Sequence, residues 1–382
     1  MNILFLLDNS FINDRRVYRE AKSLVKAGFN INLIAVKSDI VPEYEEIDGI
    51  KVHRILGDDI YDIKKSSCFK SYAKTIIEKF DFNIIHANDQ TMLNLGVKIK
   101  KQKKNVKLIY DSHELFHAWP LNTNAKGFIF IKTIIVRYLL KKREAKNIKE
   151  IDALITVNES IRNDIISNFN LKLSSVSIRN LPELAYNIEE KSVLRKKFNL
   201  KSDDKILVYI GANIYPKTIN IEQVINEFAN KPNTFMIFIC AFNWGKVAIE
   251  DYASGLEVKN LFFHDYIPQH LLIKYLNDAD VGIVSSWNKK DLSYWYGLDN
   301  KLFEYMMAEI PILATRQPEY IEIVEKYDIG KCINPESDNF YDTFNEIIGN
   351  RDHYLENIKK VKLFLNWEEE SKKLIEFYKD LM

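Results

Sequence analysis

Residues 296–319 read YGLDNKLFEYMMAEIPILATRQPE. Gly297 marks a turn, and Asp299 and Asn300 are residue types suited to capping a helix. The helix KLFEYMMA follows and carries Lys301 and Glu304 at i, i+3, hence on one face. Pro311 then opens a short apolar strand, PILAT, and a polar turn leads to Glu319. Helix, turn and strand in that order are the repeating unit of an α/β sheet. A turn feeding a helix start offers free backbone N–H groups and the positive end of the helix dipole, which suits a phosphate. Glu304, one turn in, can accept hydrogen bonds from the vicinal hydroxyls of a sugar. The competing reading is an amphipathic helix with a solvated Lys301–Glu304 pair.

The same alternation runs outward in both directions. Short apolar runs predict strands at Ile3–Leu7, Ile31–Val36, Lys51–Ile55, Asn83–His86, Lys107–Tyr110, Ala153–Val157 and Val176–Ile178. A second set falls at Ile206–Ile210, Thr234–Cys240, Asn260–Phe263, Val281–Val284, Ile312–Ala314 and Gly330–Ile333. Helical patterns lie between them, among others Arg15–Lys26, Ser67–Lys79, Thr91–Lys101 and Ser160–Asn168. This alternation implies parallel sheets covered on both faces. Asn180–Lys201 breaks the pattern and reads as an interdomain linker. The fold class is therefore α/β, with two doubly wound, Rossmann-like domains at 1–185 and 186–365 and an amphipathic terminal helix at 366–382. Open α/β sheets bind ligands at the carboxyl ends of their strands. A cleft between two such sets of strand ends is the expected active site.

Composition narrows the classes. The chain has 382 residues, 47% apolar and 28% charged, as in soluble globular proteins. A net charge of +1 gives no general attraction to nucleic acid. Cys68, Cys240 and Cys332 are far apart, with no CxxC and no Cys/His cluster, so neither disulfides nor zinc are indicated. The start, MNILFLLDNS, lacks a basic segment and reads as a first buried strand rather than a signal peptide. With no long apolar run, a cytoplasmic location is expected. No glycines are spaced G-x-G-x-x-G or G-x-x-x-x-G-K-[ST], which argues against dehydrogenases and P-loop NTPases. Asp278-Ala-Asp280 matches a D-x-D metal motif formally, but it stands at a helix-to-strand turn where Asp is ordinary. No metal is expected.

The strand Ile206–Ile210 ends in GANIYPK, where Gly211 frees the backbone and Lys217 follows in the loop. An ammonium there can pair with a diphosphate, or be an ordinary exposed lysine. At this point the pieces NDRRVYREAKSLVKAGFNINLIAV, IIHANDQ, LIYDSHELF, DALITVNESI, VSIRNLPE, ILVYIGANIYPK, NDADVGIV, LDNKLFEYMMAEIPILAT and NWEEESKKL, in this order, carry a resemblance. The chain resembles the group 1 (family four) retaining glycosyltransferases of the GT-B fold. The resemblance implies two Rossmann-like domains facing a central cleft, with the C-terminal helix crossing back onto the first. It implies transfer of a sugar from a UDP- or GDP-linked donor to a hydroxyl of a glycan or lipid-linked acceptor, without metal or cofactor beyond the nucleotide-sugar co-substrate. Surface polysaccharide synthesis is the pathway it suggests.

Residue by residue, Lys217 matches the family's diphosphate lysine, and Glu304 the second glutamate of its E-x7-E signature, on the ribose hydroxyls. Gly297 matches the glycine whose neighbouring amides, around Leu298, Asp299 and Asn300, line the phosphate and sugar, with Lys301 as helper. Tyr266 and Ile267 fall in the strand-end segment HDYI that meets the base. Two departures stand out: Tyr296 occupies the place of the first glutamate, and Ala212 that of an arginine. In the first domain the family's histidine beside donor sugar and acceptor maps to His113, with Glu114 next to it. Lys217, Glu304 and His113 are thus the implied catalytic set. On the acceptor side, His86 and Asp89 follow the preceding strand, and Asn9, Arg15 and Arg16 stand where the family has a glycine pair. An arginine there would reach a phosphate, or begin a solvated helix. Residues 126–149 hold eight Lys or Arg against Glu144. That segment reads either as a basic amphipathic helix resting on an anionic membrane, at its inner face, or as a core-packing helix with a solvated basic side. Rival functions are a GT-B-like nucleotide-sugar epimerase and a non-catalytic glycan- or partner-binding member.

Overall fold

The structure is a computed structural model that describes residues 1–57, 60, 66–118, 127–185, 193–211, 220–241 and 244–381. The chain divides into two compact units, Met1–Asn180 with Glu370–Met382, and Leu181–Glu369.

Among the described residues the first unit holds an eight-stranded sheet. Its strands are β1 (Asn2–Leu6), β2 (Asn30–Val36), β3 (Tyr44–Ile47), β4 (Ile50–Leu56), β5 (Ile84–Asn88), β6 (Lys107–Ser112), β7 (Ala153–Thr156) and β8 (Ser174–Ser177). Their order is β3-β4-β2-β1-β5-β6-β7-β8, parallel throughout except for the β3–β4 pair. The winding reverses between β1 and β5, whose registers meet at Ile3 and Ile84. β3 is missing from the sequence reading. Its residues, YEEI, are partly exposed and sit at the sheet edge, so no buried apolar run announces it.

The second unit holds a parallel six-stranded sheet of β9 (Lys205–Gly211), β10 (Thr234–Cys240), β11 (Leu261–His264), β12 (Val281–Val284), β13 (Ile312–Thr315) and β14 (Gly330–Ile333). The order is β11-β10-β9-β12-β13-β14, and here the winding reverses between β9 and β12.

Part of the expected linker belongs to this second unit. Val193–Lys197 is a short helix whose Leu194 is fully buried in the core, while Arg195 reaches Asp278 (3.3 Å) and Asp280 (3.0 Å). The D-x-D pair is thereby engaged as a salt-bridge anchor. The last helix, Trp367–Asp380, contributes its residues from Glu370 onward to the first unit. There Tyr378 is fully buried, hydrogen-bonded to His86 and edge-on to Phe29. Among the described residues no helix is long and apolar enough to cross a membrane.

Candidate active site

In the first unit the strand ends at the β1/β5 reversal converge on a charged cluster. Asp8 follows β1, Asp89 opens the helix after β5, and His113 and Glu114 follow β6. His113 is held from both ring nitrogens: Nδ1 lies 3.3 Å from Asp89 and Nε2 lies 3.1 Å from Asp111, while its backbone N–H donates to Asp89 at 3.0 Å. Burial alone would lower its pKa, but the two carboxylates outweigh that and hold the imidazolium well above the ordinary histidine range. His113 is 19% exposed, and it faces a cavity of about 680 Å³. Strand-end residues Asp8, Asp89 and Glu114 line one part of that cavity, and the helix Gly127–Asn147 lines another.

Beneath His113 the charges continue. Asp111 is fully buried; Arg16 donates to both its oxygens (3.1 and 3.2 Å) and His86 lies 3.3 Å away. Burial would raise the Asp111 pKa, but Arg16 and His113 hold it well below the carboxylate range. Glu20 lies 3.0 Å from Arg16, yet burial pushes its pKa up to about 8. Charge balance gives the same direction, because Asp111 and Asp89 already answer Arg16 and His113. Burial, then Asp89, pushes Asp8 up to about 6, within reach of neutral pH.

In the second unit the helix Asn300–Met307 starts at the strand ends beside the β9/β12 reversal. Asp299 stands at its N-cap position but makes no side-chain cap. Its carboxylate instead accepts from the Tyr320 hydroxyl (2.9 Å) and pairs with Lys301 (3.4 Å). Tyr305, fully buried, accepts from the Ile210 N–H (3.0 Å) and faces the carbonyls of Val208 (3.3 Å) and Ile283 (3.2 Å). Its ring lies over Gly282, where an added Cβ would come within 2.4 Å. Gly297 sits in a tighter than usual place, since a Cβ there would meet the Ser293 and Tyr294 carbonyls at 3.2 Å.

Residues 14–178 match the family Glycosyltransferase Family 4, and residues 204–350 match Glycosyl transferases group 1. The chain belongs to the group 1 glycosyltransferases of the GT-B fold. This glycosyltransferase is 23% identical over 383 residues to the uncharacterized glycosyltransferase MJ1607 of Methanocaldococcus jannaschii, covering 95% of this chain and 92% of that one. Sucrose-phosphate synthase from Thermosynechococcus elongatus shares its fold, with a TM-score of 0.75 at 15% identity over 100% of this chain and 99% of that chain. So does Anabaena Alr3699/HepE, solved in complex with UDP, with a TM-score of 0.70 at 14% identity and full coverage of both chains.

Several expected site residues of the glycosyltransferase are placed otherwise. Arg16, expected to reach a phosphate, is buried; Asp111, Glu20 and the Ile178 carbonyl (2.7 Å) take its guanidinium. His86, expected on the acceptor side, is fully buried, stacks on Phe5 at 4.2 Å and bonds Tyr378, because β5 runs on past it to Asn88. Asn9 serves a local turn, bonding Asp14 (2.9 Å) and the Phe11 N–H (2.8 Å), while Arg15 is exposed at its helix start. Lys301 is held by Asp299 and lies 4.6 Å over the Tyr209 ring, so it is not a loose helper to a diphosphate. Its pKa is raised because Asp299 and Tyr209 outweigh burial.

Ile267 is buried in the core, and Tyr266 beside it is exposed. Gly211 closes β9; Tyr296, half-buried, ends the one-turn helix Leu292–Trp295. Leu298 and Glu304 are half-buried and Asn300 is exposed. Lys217 and Ala212 lie outside the described residues. Sequence reasoning missed Asp8, Glu20, Asp111 and Tyr305. The readable signals were Asp8 directly after the first apolar run and the glycine in VGIV that accommodates an aromatic ring.

Proposed function

We propose that this glycosyltransferase moves a sugar from a UDP- or GDP-linked donor to a hydroxyl of a lipid-linked glycan acceptor, with retention and without a metal ion. The observation that carries the reading is His113. A doubly held imidazolium, facing a cavity at the β1/β5 reversal, supplies fixed positive charge where a hydroxylated ligand meets strand-end carboxylates. Anabaena HepE, of the same fold, was solved with UDP and with UDP-glucose, which supports a nucleotide-sugar donor.

In the second unit the start of the Asn300–Met307 helix, left without a side-chain cap by Asp299, supports binding of the diphosphate, with Lys217 as its cation. Glu304, one turn in, is assigned to the ribose hydroxyls. As the bond from the anomeric carbon to the diphosphate breaks, its growing charge is met by an ammonium and by backbone amides. The acceptor hydroxyl attacks from the same face and passes its proton to a diphosphate oxygen, so retention needs no carboxylate nucleophile.

The exposed apolar residues Ile131, Ile134, Ile135, Tyr138 and Leu139, on a helix carrying exposed Lys132, Lys141, Lys142 and Lys146, support contact with the inner face of an anionic membrane. They favour a lipid-linked acceptor of surface polysaccharide synthesis.

The test is release of free nucleoside diphosphate from a panel of sugar nucleotides, with and without acceptor. Activity is expected to persist in EDTA, and Lys217→Ala to lose mainly kcat. A strict divalent-metal requirement contradicts the mechanism. Donor conversion without acceptor points to an epimerase, and no turnover of any donor to a binding-only member.

A further inference from the structure

The helix Gly127–Asn147 has two faces with different surroundings. At roughly 100° per residue, Thr133, Val136, Arg137, Leu140 and Arg143 share one side, and all five line the cavity that holds His113. Directly opposite, Ile131, Ile134, Ile135, Tyr138 and Leu139 are between 41 and 55% exposed. The inner face is anchored by Glu144, fully buried, which accepts from the Tyr110 hydroxyl at 3.0 Å.

Arg137 and Arg143 are half-buried on that inner face, and among the described residues neither has a carboxylate partner. The guanidinium carbon of Arg143 lies 6.0 Å from the Phe69 ring, and Lys98 lies 5.4 Å from the same ring. Burial lowers the pKa of Arg143, and both burial and Arg143 lower that of Lys98. Arg137 and Arg143 thus place positive charge, without an ion-pair partner among the described residues, in a partly desolvated part of the cavity wall. The strand-end wall is balanced differently, since His113 already answers Asp89. Between the walls lie apolar side chains, Phe116, Val136 and Leu140 among them. A half-buried guanidinium without an anion is costly, and a phosphate supplies the bidentate partner it lacks.

We propose that Arg137 and Arg143 form a site for a phosphate group carried by an amphiphilic acceptor. The acceptor's hydroxylated end faces Asp8, Asp89 and Glu114, and its apolar part runs along Phe116, Val136 and Leu140. This rests on the transferase reading, in which this cavity is the acceptor's.

The probes are octyl phosphate, octyl glucoside and inorganic phosphate, titrated calorimetrically into the full chain. Octyl phosphate is expected to bind at least about tenfold tighter than either of the others, reflecting the charge-assisted contact added to apolar burial. The double variant Arg137→Gln/Arg143→Gln, checked for folding by circular dichroism, should lose that factor on octyl phosphate and leave octyl glucoside unchanged. The double Arg→Lys variant should retain part of it. Equal binding of octyl phosphate by wild type and the double Gln variant overturns the site.

Sedimentation with phosphatidylglycerol vesicles separates a second source of phosphate. If the Gln variant loses vesicle binding while wild type ignores octyl phosphate, the arginines serve bilayer head groups, and the acceptor assignment falls. Donor turnover separates the two readings. Absence of nucleoside diphosphate release by wild type sinks the transferase mechanism, whereas failure of octyl phosphate binding with donor turnover intact sinks only this site.

Discussion

Asp111→Asn removes one charge from a fully buried carboxylate that serves Arg16, His113 and His86 at once. Taking one partner from a buried ion pair costs about 3–5 kcal/mol. Arg16 keeps the Ile178 carbonyl at 2.7 Å and Glu20 at 3.0 Å. Glu20, whose proton Asp111 helps to retain, ionises more readily once that charge is gone, which puts this loss near the low end, about 3 kcal/mol. At about 2–4 °C per kcal/mol for a unit of this size, the melting transition of the first unit should fall by about 6–12 °C.

A second effect follows at His113, which loses one of its two carboxylates. A histidine whose folded pKa is raised adds stability in full below its unfolded value, about 6.5, and loses it as pH rises through the folded value. The variant should therefore release the His113 proton at lower pH, and that component of stability should decay at correspondingly lower pH. Urea unfolding at several pH values gives the first quantity, and an NMR titration of the His113 ring protons gives the second. A destabilisation below about 1 kcal/mol, with the His113 titration unmoved, would refute the charge network as the organiser of this site.

Two other substitutions probe separate parts. Glu20→Gln addresses an acid whose pKa is raised to about 8 by burial, so its contribution is full below about 4.5 and declines as pH rises towards 8. Relative to wild type the variant should gain stability with pH across that window, by up to about 1.4 kcal/mol per pH unit; a pH-independent difference in urea midpoints counts against a protonated Glu20. Tyr305→Phe leaves the Ile210 N–H and two strand carbonyls without their hydroxyl, at about 1–3 kcal/mol, read as a lower melting temperature of the second unit. An unchanged melt would show that the hydroxyl's place is taken by water.

The alternating sheets and helices were readable because buried parallel strands announce themselves as apolar runs between helical patterns. β3 was not, since an edge strand of YEEI has no such run. At the site, the post-strand positions of Asp89, His113 and Glu114, together with the family resemblance for His113, pointed to residues that line one cavity. Arg16 and His86 share their neighbourhood but not their exposure. Arg16 lies on the face it shares with Val17, Glu20, Ala21 and Leu24, a buried spacing that outweighs its place at a helix start. His86 was read as a strand end, and two further residues of β5 turn it into an interior position. Long-range partners decide such cases: Tyr378 meets His86 across 292 positions of sequence, and no local pattern carries that contact.

The NKLFEY segment makes the same point in the second unit. β9 and β12 pair only at Leu207–Val281 and Val208–Gly282, so beyond that register the two strands lack a ladder. Tyr305 fills the place of the missing bonds, its ring on Gly282 and its hydroxyl on both strands. Consecutive helix residues point about 100° apart. Fixing Tyr305 inside therefore fixes the rotation of the whole helix, and with it the direction in which Glu304 projects. Asp299, drawn off by Tyr320 and Lys301, leaves the first turn of that same helix without a side-chain cap. The sugar- and phosphate-facing features proposed for this helix thus depend on two buried tyrosines, Tyr305 and Tyr320. Substituting Tyr305 should weaken donor binding through helix rotation even where the melting temperature survives.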